Sequence, residues 1–316
     1  LTGTQSGGNF FPSMWGITGS EDLGGGLKAS FNLQSSLNAM GGQSGNDAPL
    51  SNGALFDRYA VVSVSGSAGS IQLGHMIDPI FLQTFVNGAM PTHSNSLAVS
   101  ALLNGSQSAN NTSHVVGSRL DNTITYTTPT SNGLKAALTY AAGGVAGSNS
   151  AGGIYAGVAT YDNAGLSLSA GYESQNSQTG ATNVFRKALL GAKYTSGQYT
   201  VAAQWLQQKN QPVDSGTAYV LDAYELGVAY KASANTTVGL NYMSYSNQNG
   251  ALTSIGKNPA VTSLKAKYDL SKRTYLYGMA SVQNADAYGI PQGYNVTTGA
   301  ADKGATNFAV GVVHGF

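Results

Sequence analysis

The chain has 316 residues, a formal net charge of +1 and no cysteine, which excludes disulfides, thiolate metal sites, cysteine nucleophiles and a broad cationic footprint for nucleic acid. Charged residues are 9% of the total, against about 25% in soluble globular domains. Mean hydropathy is nonetheless slightly negative, because Gly, Ser, Thr, Asn and Gln replace the missing charge. No window approaches the ~18 apolar residues of a membrane-spanning helix. A barrel with one lipid face and one wet face has this composition. A disordered chain does not, since 18 Tyr and 9 Phe recur with regular alternation. No basic segment with an apolar core precedes Leu1, so any secretion signal is expected to have been removed already.

Segments of apolar residues at every second position run from end to end, the pattern of half-buried strands. Leu27, Ala29, Phe31 and Leu33 alternate with Lys28, Ser30, Asn32 and Gln34; Leu134, Ala136, Leu138 and Tyr140 alternate with Lys135, Ala137 and Thr139. Leu166, Leu168, Ala170 and Tyr172 follow, then Tyr224, Leu226, Val228 and Tyr230, and then Leu264, Ala266 and Tyr268. About fifteen strands are predicted, near 13–21, 26–36, 55–65, 69–76, 117–128, 133–141, 153–162, 165–174, 184–195, 198–208, 218–231, 235–245, 260–269, 273–283 and 305–316. Tight turns such as Asp22 to Gly26 and Asp162 to Gly165 alternate with long polar segments such as 37–54, 142–152, 246–259 and 283–304. Short turns on one rim and long loops on the other mark an outer-membrane barrel. Tyr126, Tyr140, Tyr161, Tyr172, Tyr194, Tyr230, Tyr242 and Tyr268 gather toward strand ends, as interfacial girdles do.

The last strand places Phe308, Val310, Val312, His314 and Phe316 on one face and ends on the aromatic carboxylate itself. Chain ends usually fray in polar tails, whereas a barrel's last strand must close against its first. Fifteen is one short of an even barrel, and an open edge in lipid is prohibitive. A first strand is therefore expected upstream of Leu1, with Leu1 to Thr4 as its tail. The gap should lie between the strand holding Trp15 and the strand ending at Phe316.

Four stretches carry a family resemblance: Trp15 to Ala29, Arg119 to Tyr126, Tyr268 to Thr274, and Val310 to Phe316. The chain resembles the trimeric general porins of Gram-negative bacteria of the β-proteobacterial type, related to anion-selective and neisserial porins. The resemblance implies an all-β, 16-stranded antiparallel transmembrane β-barrel, a homotrimer in the outer membrane, and passive passage of small ions and hydrophilic solutes. It further implies that Phe316 serves the barrel-assembly machinery as a recognition signal. Basic side chains common in relatives are replaced here at Met14, Thr18, His75 and Val313, which predicts only a weak anion preference. The expected organisation is one transmembrane barrel domain over 1–316, with 77–117 as a constriction loop.

That loop is too apolar to stand in solvent. Ile77, Ile80, Phe81, Leu82, Phe85, Val86, Ala89 and Met90 precede Leu97, Val99, Leu102 and Leu103. It is expected to fold into the barrel, pack its apolar side on the wall and narrow the channel with its polar side; a surface cap or trimer contact is the alternative. Asp78 is either a pore-lining charge or a turn residue before Pro79. Arg119 and Asp121 face inward together if Leu120, Ile124 and Tyr126 face outward. Lys28, Lys135, Lys187, Lys193, Lys265 and Lys267 take the wet parity, as does Glu225. Arg58 shares the parity of Ala60, Val62 and Val64 but matches a basic position of the family at the start of the fourth strand, and the resemblance implies that it lines the eyelet from the strand's end, where parity weakens. The candidate pore residues are thus Arg58, Arg119, Asp121, His75, Asp78 and Lys28.

Neither a metal nor a cofactor is expected: His75, His93, His114 and His314 lack a ligand spacing. Catalytic motifs are missing as well, so no enzyme is expected. A substrate-specific channel for a small organic anion or sugar is the alternative function; sugar specificity would show as aromatics along the lumen. Membrane lipid and further copies of the chain are the expected partners, and nucleic acid is not.

Overall fold

The structure, a computed structural model, describes residues 13–38, 42–44, 54–90, 119–180, 183–211, 218–248, 258, 260–284 and 304–316. The expectations placed on Leu1 to Thr4, His93, His114 and the loop residues Leu97 to Leu103 lie outside these residues.

Fifteen antiparallel strands follow one another in chain order around a single sheet. They are β1 (Met14–Gly24), β2 (Leu27–Asn38), β4 (Tyr59–Gly66), β5 (Gly69–Ile77), β6 (Arg119–Thr127), β7 (Leu134–Ala141), β8 (Ile154–Asn163) and β9 (Leu166–Asn176). The remainder are β10 (Asn183–Ser196), β11 (Tyr199–Asn210), β12 (Tyr219–Lys231), β13 (Thr236–Gln248), β14 (Ala260–Asp269), β15 (Thr274–Gln283) and β16 (Ala305–His314). A two-residue strand, β3 (Gln43–Ser44), pairs only with the end of β2. The single helix among the described residues is α1 (Pro79–Asn87). Among the described residues no ladder joins β16 to β1, so the sheet they form is not closed and its seam falls between these two strands.

Neighbouring strands meet through a short turn at one rim and a long connection at the other. The β1–β2 turn is tight because Gly24, Gly25 and Gly26 all adopt positive φ, which costs glycine little, and Asp22 Oδ1 accepts from the Gly24 amide at 2.8 Å. Phe316 lies at this short-turn rim, its ring edge-on to His314.

Alternation sorts the two faces. Ile71, Leu73, Ile124, Leu138, Leu190, Leu226, Leu264 and Val282 are exposed on the outside. Their in-register inner neighbours, such as Thr125, Thr139, Ser169, Gln204, Asn241 and Ser281, are polar. Tyrosines bound the outer apolar band. Tyr199 stacks on Tyr230 with centroids 5.0 Å apart near the short turns, and Tyr140 meets Tyr155 at 5.2 Å toward the long loops. Tyr224 and Tyr230 on β12 are six residues apart, about 20 Å of strand, close to the height of a lipid-facing band. Tyr172, Tyr224 and Tyr242 sit inside their strands and not at the ends, because the strands continue past the band toward the long loops.

The buried apolar core lies inside the sheet. Ile80 of α1 joins Val158, Leu189, Leu206, Met243, Tyr245 and Val261 of the inner wall. The helix rests on β8, β9, β10 and β11, so α1, at the start of the segment after β5, lies on the inner side of the sheet.

Candidate functional site

Helix α1 begins where a proline follows an N-capping aspartate. Asp78 Oδ1 accepts from the amides of Ile80 at 2.7 Å and Phe81 at 3.2 Å, satisfying two donors that a first turn leaves open. The other oxygen, Oδ2, meets Lys187 Nζ of β10, and Lys187 Nζ also lies 2.9 Å from Glu173 Oε1 of β9. All three side chains are fully buried. Asp78 is therefore not a pore-lining charge. It is held against the far wall, as helix cap and as ion-pair partner together.

The rest of the helix is seated by small residues on the inner wall. A Cβ at Gly171 would stand 2.5 Å from Ile80 Cδ1, and one at Gly191 would stand 2.1 Å from the Asn87 amide. Ser169 Oγ donates to Asn87 Oδ1 at 2.8 Å, and Gln204 Nε2 donates to the Thr84 carbonyl at 3.0 Å. At the other end Lys193 Nζ donates to the Val86 carbonyl at 2.6 Å, placing a cation where the helix dipole is negative. Ala89 and Met90 then pack against Ala229 and Tyr277. Every contact residue of this set stands on the lumen parity, so the helix crosses the inner surface of the wall.

The expectation that a polar side of the loop narrows the channel does not hold for α1. Ile80, Thr84 and Asn87 face the wall, and at 3.6 residues per turn the opposite face carries Leu82 and Val86. These are 43% and 44% exposed.

Basic residues gather at the root of the loop. Gly74 pairs with Thr123 and Met76 with Leu120, so His75 alone stands opposite both Asp121 and Asn122. Asn122 has φ 54°, and such a bulge shifts the alternation by one. Leu120, expected outside with Ile124 and Tyr126, is instead buried inside with Ala141 and Ile154. Strict alternation thus fails for Arg119 and Asp121. Arg119 stands directly opposite Ile77, which packs on Phe81 where the chain turns inward, with Tyr59 and Phe85 beside them. Tyr59 stands on the lumen parity opposite Gln34, directly after Arg58 in the chain.

Asp121 is engaged by its neighbour, with His75 Nδ1 2.5 Å from Asp121 Oδ1 and His75 Nε2 3.0 Å from the Asp57 carbonyl. The Asp57 carboxylate accepts from the amide and hydroxyl of Ser36 at 2.8 and 2.6 Å. The structure thus brings Arg58, His75, Arg119 and Asp121 together. It places Lys28 opposite Asp22 at the short-turn rim, far along the strand from this cluster, and Phe316 at the same rim. Among the other wet-parity lysines, Lys187 is ion-paired, Lys265 is buried, and Lys267 Nζ lies 2.8 Å from Asp269 Oδ1. Alternation missed Tyr59, Glu173 and Gln204 as site residues. The signal for the seat was glycine on the wet parity, at Gly171 and Gly191, where nothing but close approach of another segment needs it.

The Gram-negative porin family model matches residues 2–288. The chain belongs to the Gram-negative porin family. It is 30% identical over 321 residues to outer membrane porin protein 32 of Delftia acidovorans, covering 96% of this chain and 84% of that one. An anion-selective porin from Comamonas acidovorans superposes with TM-score 0.75 at 27% identity, covering 96% of this porin and 89% of that chain. The trimer form of OmpT, an outer membrane protein of Vibrio cholerae, superposes with TM-score 0.63 at 12% identity, covering 86% and 80%, and speaks for the fold alone. This porin is an outer-membrane β-barrel protein of a Gram-negative cell envelope.

Proposed function

We propose that this porin is a passive diffusion channel for small hydrophilic solutes with a weak anion preference, and that it acts as a channel and not as an enzyme. The observation that carries the reading is the gathering of basic residues at the root of α1: Arg119 stands opposite Ile77, which packs with Phe81 and Tyr59, and His75 Nε2 lies 3.0 Å from the carbonyl of Asp57, the residue before Arg58. Fixed cations beside a narrow passage raise the local anion concentration, and low-dielectric walls strengthen the effect. The name of the Comamonas acidovorans relative, an anion-selective porin, agrees. The preference is weak because Lys187 and Lys267 face carboxylates of the same wall and Asp121 lies two residues from Arg119. A planar-bilayer recording under a salt gradient tests it: a reversal potential of the sign for anions is expected, and a cation-preferring pore ends the reading.

The proposed working form is a homotrimer, with 1–316 as one barrel domain surrounded by outer-membrane lipid and handed to the assembly machinery through Phe316. The outer faces of β1, β2, β4 and β5 supply the subunit contact in this reading. Among the described residues they carry no tyrosine, and Ala29, Phe31, Val62, Val64, Ile71 and Leu73 line an apolar depression of about 630 Å³. Large contiguous apolar surface marks an interaction site. Native gels after gentle detergent extraction test it; a monomer alone would count against the trimer.

A further inference from the structure

We propose that the constriction favours small monocarboxylates with an apolar body over inorganic anions of the same charge. This rests on the anion-preferring channel argued above and adds a solute class to it. The observation is the unpacked side of α1. Its wall side is fully used by Ile80, Thr84 and Asn87, and its two ends are fixed by Asp78 and by Lys193. Nothing in that seating needs Leu82 or Val86 to be apolar, yet both present nearly half their surface away from the wall, inside a passage built of polar strands.

The apolar strip continues to the charged end of the site. Phe85 lies one helical step from Leu82 and stacks edge-on to Phe81 with centroids 4.9 Å apart. Both rings belong to the cluster that holds Tyr59 and Ile77, and Ile77 stands directly opposite Arg119. A solute passing here meets aliphatic and aromatic surface on one side and the partly exposed Arg119 at its edge. A carboxylate suits a guanidinium in charge and in hydrogen-bond geometry. A short alkyl or aryl body loses water against Leu82, Val86 and Phe85, which chloride cannot do. One-sided contact recovers only part of full burial, so the enrichment should be about threefold and not hundreds.

Bi-ionic reversal potentials on the purified channel test this, with potassium chloride on one side and potassium acetate, butyrate or benzoate on the other. The permeability ratio to chloride should rise from acetate to butyrate and benzoate, reaching about three times the ratio of free-solution mobilities. In the double variant Leu82→Asn, Val86→Asn it should fall back to the mobility order. A wild-type series that simply follows mobility overturns the inference, and so does a double variant that keeps the wild-type order. The wild-type series needs no variant to fold. A potassium chloride gradient on the same channels separates the two readings: cation preference there ends the anion channel itself, whereas anion preference with a mobility-ordered series ends only the solute class.

Discussion

Lys187 of β10 meets Asp78, the residue that caps α1 from 109 positions earlier in the chain. One lysine thereby holds the start of α1 and the Glu173 carboxylate of the neighbouring strand at once. A charge taken out of water is tolerated only when paired and hydrogen-bonded, and removing one partner of such a group costs about 3–5 kcal/mol. The clamp therefore fixes the position of the helix more than it adds net stability.

Lys187→Met should destabilise the folded barrel by about that amount and leave two buried carboxylates facing each other beneath α1. Thermal unfolding in detergent should show the loss, and single-channel records should show a noisier conductance as the helix lifts. The triple variant Lys187→Met, Asp78→Asn, Glu173→Gln removes all the charges and should recover most of the stability. A triple variant no more stable than Lys187→Met alone would contradict the clamp.

Gly171→Val should disturb the same helix by crowding. The inner wall at Gly171 admits no side chain without moving Ile80, and overpacking a filled site costs about 1–3 kcal/mol. The matched control is Gly278→Val on β15, where an added Cβ meets nothing within 4 Å. Conductance should change in the first variant and stay as wild type in the second. Equal effects of the two would mean that α1 is not seated on this wall.

The strands were legible from the chain because lipid on one side and water on the other force period two, and turn glycines punctuate it. The seam between β1 and β16 followed from the odd strand count. What could not be read were events that break or bypass the period. The Asn122 bulge moved Leu120 to the inner side, and it undid the parity argument for Arg119 and Asp121. Asp78 looked like a pore charge because its partners, Glu173 and Lys187, are about a hundred residues away. Lys187 and Lys265 share the wet parity with Lys135, and local pattern holds no trace of whether a lysine ends in solvent or beneath a helix. Leu82 and Val86 looked like wall contacts until the seat of Ile80, Thr84 and Asn87 showed which side of α1 was already occupied.

Asp121→Asn should strengthen anion preference. The carboxylate lies two residues from Arg119 and is held by His75 at 2.5 Å, so it offsets part of the guanidinium field. Removing its charge while keeping its shape should raise the chloride-to-potassium permeability ratio by about twofold at low salt. The site is at the exposed edge of the wall, so unfolding temperature should hardly move. An unchanged or lowered ratio would place Asp121 outside the field that ions cross.

Arg119→Ala should do the reverse and bring the reversal potential in a potassium chloride gradient toward zero. Of the two guanidiniums near Tyr59, Arg58 is almost fully buried before β4, whereas Arg119 remains partly exposed and can present its charge to passing ions. Arg58→Ala should therefore shift selectivity less and stability more. Salt dependence adds a second check, because the screening length falls from ~10 Å at 0.1 M to ~3 Å at 1 M. The wild-type preference should shrink steeply over that range, while the Arg119→Ala channel, having little preference to lose, should change far less. A variant with wild-type selectivity at 0.1 M would remove Arg119 from the constriction and leave the bulged ends of β5 and β6 with a structural role alone.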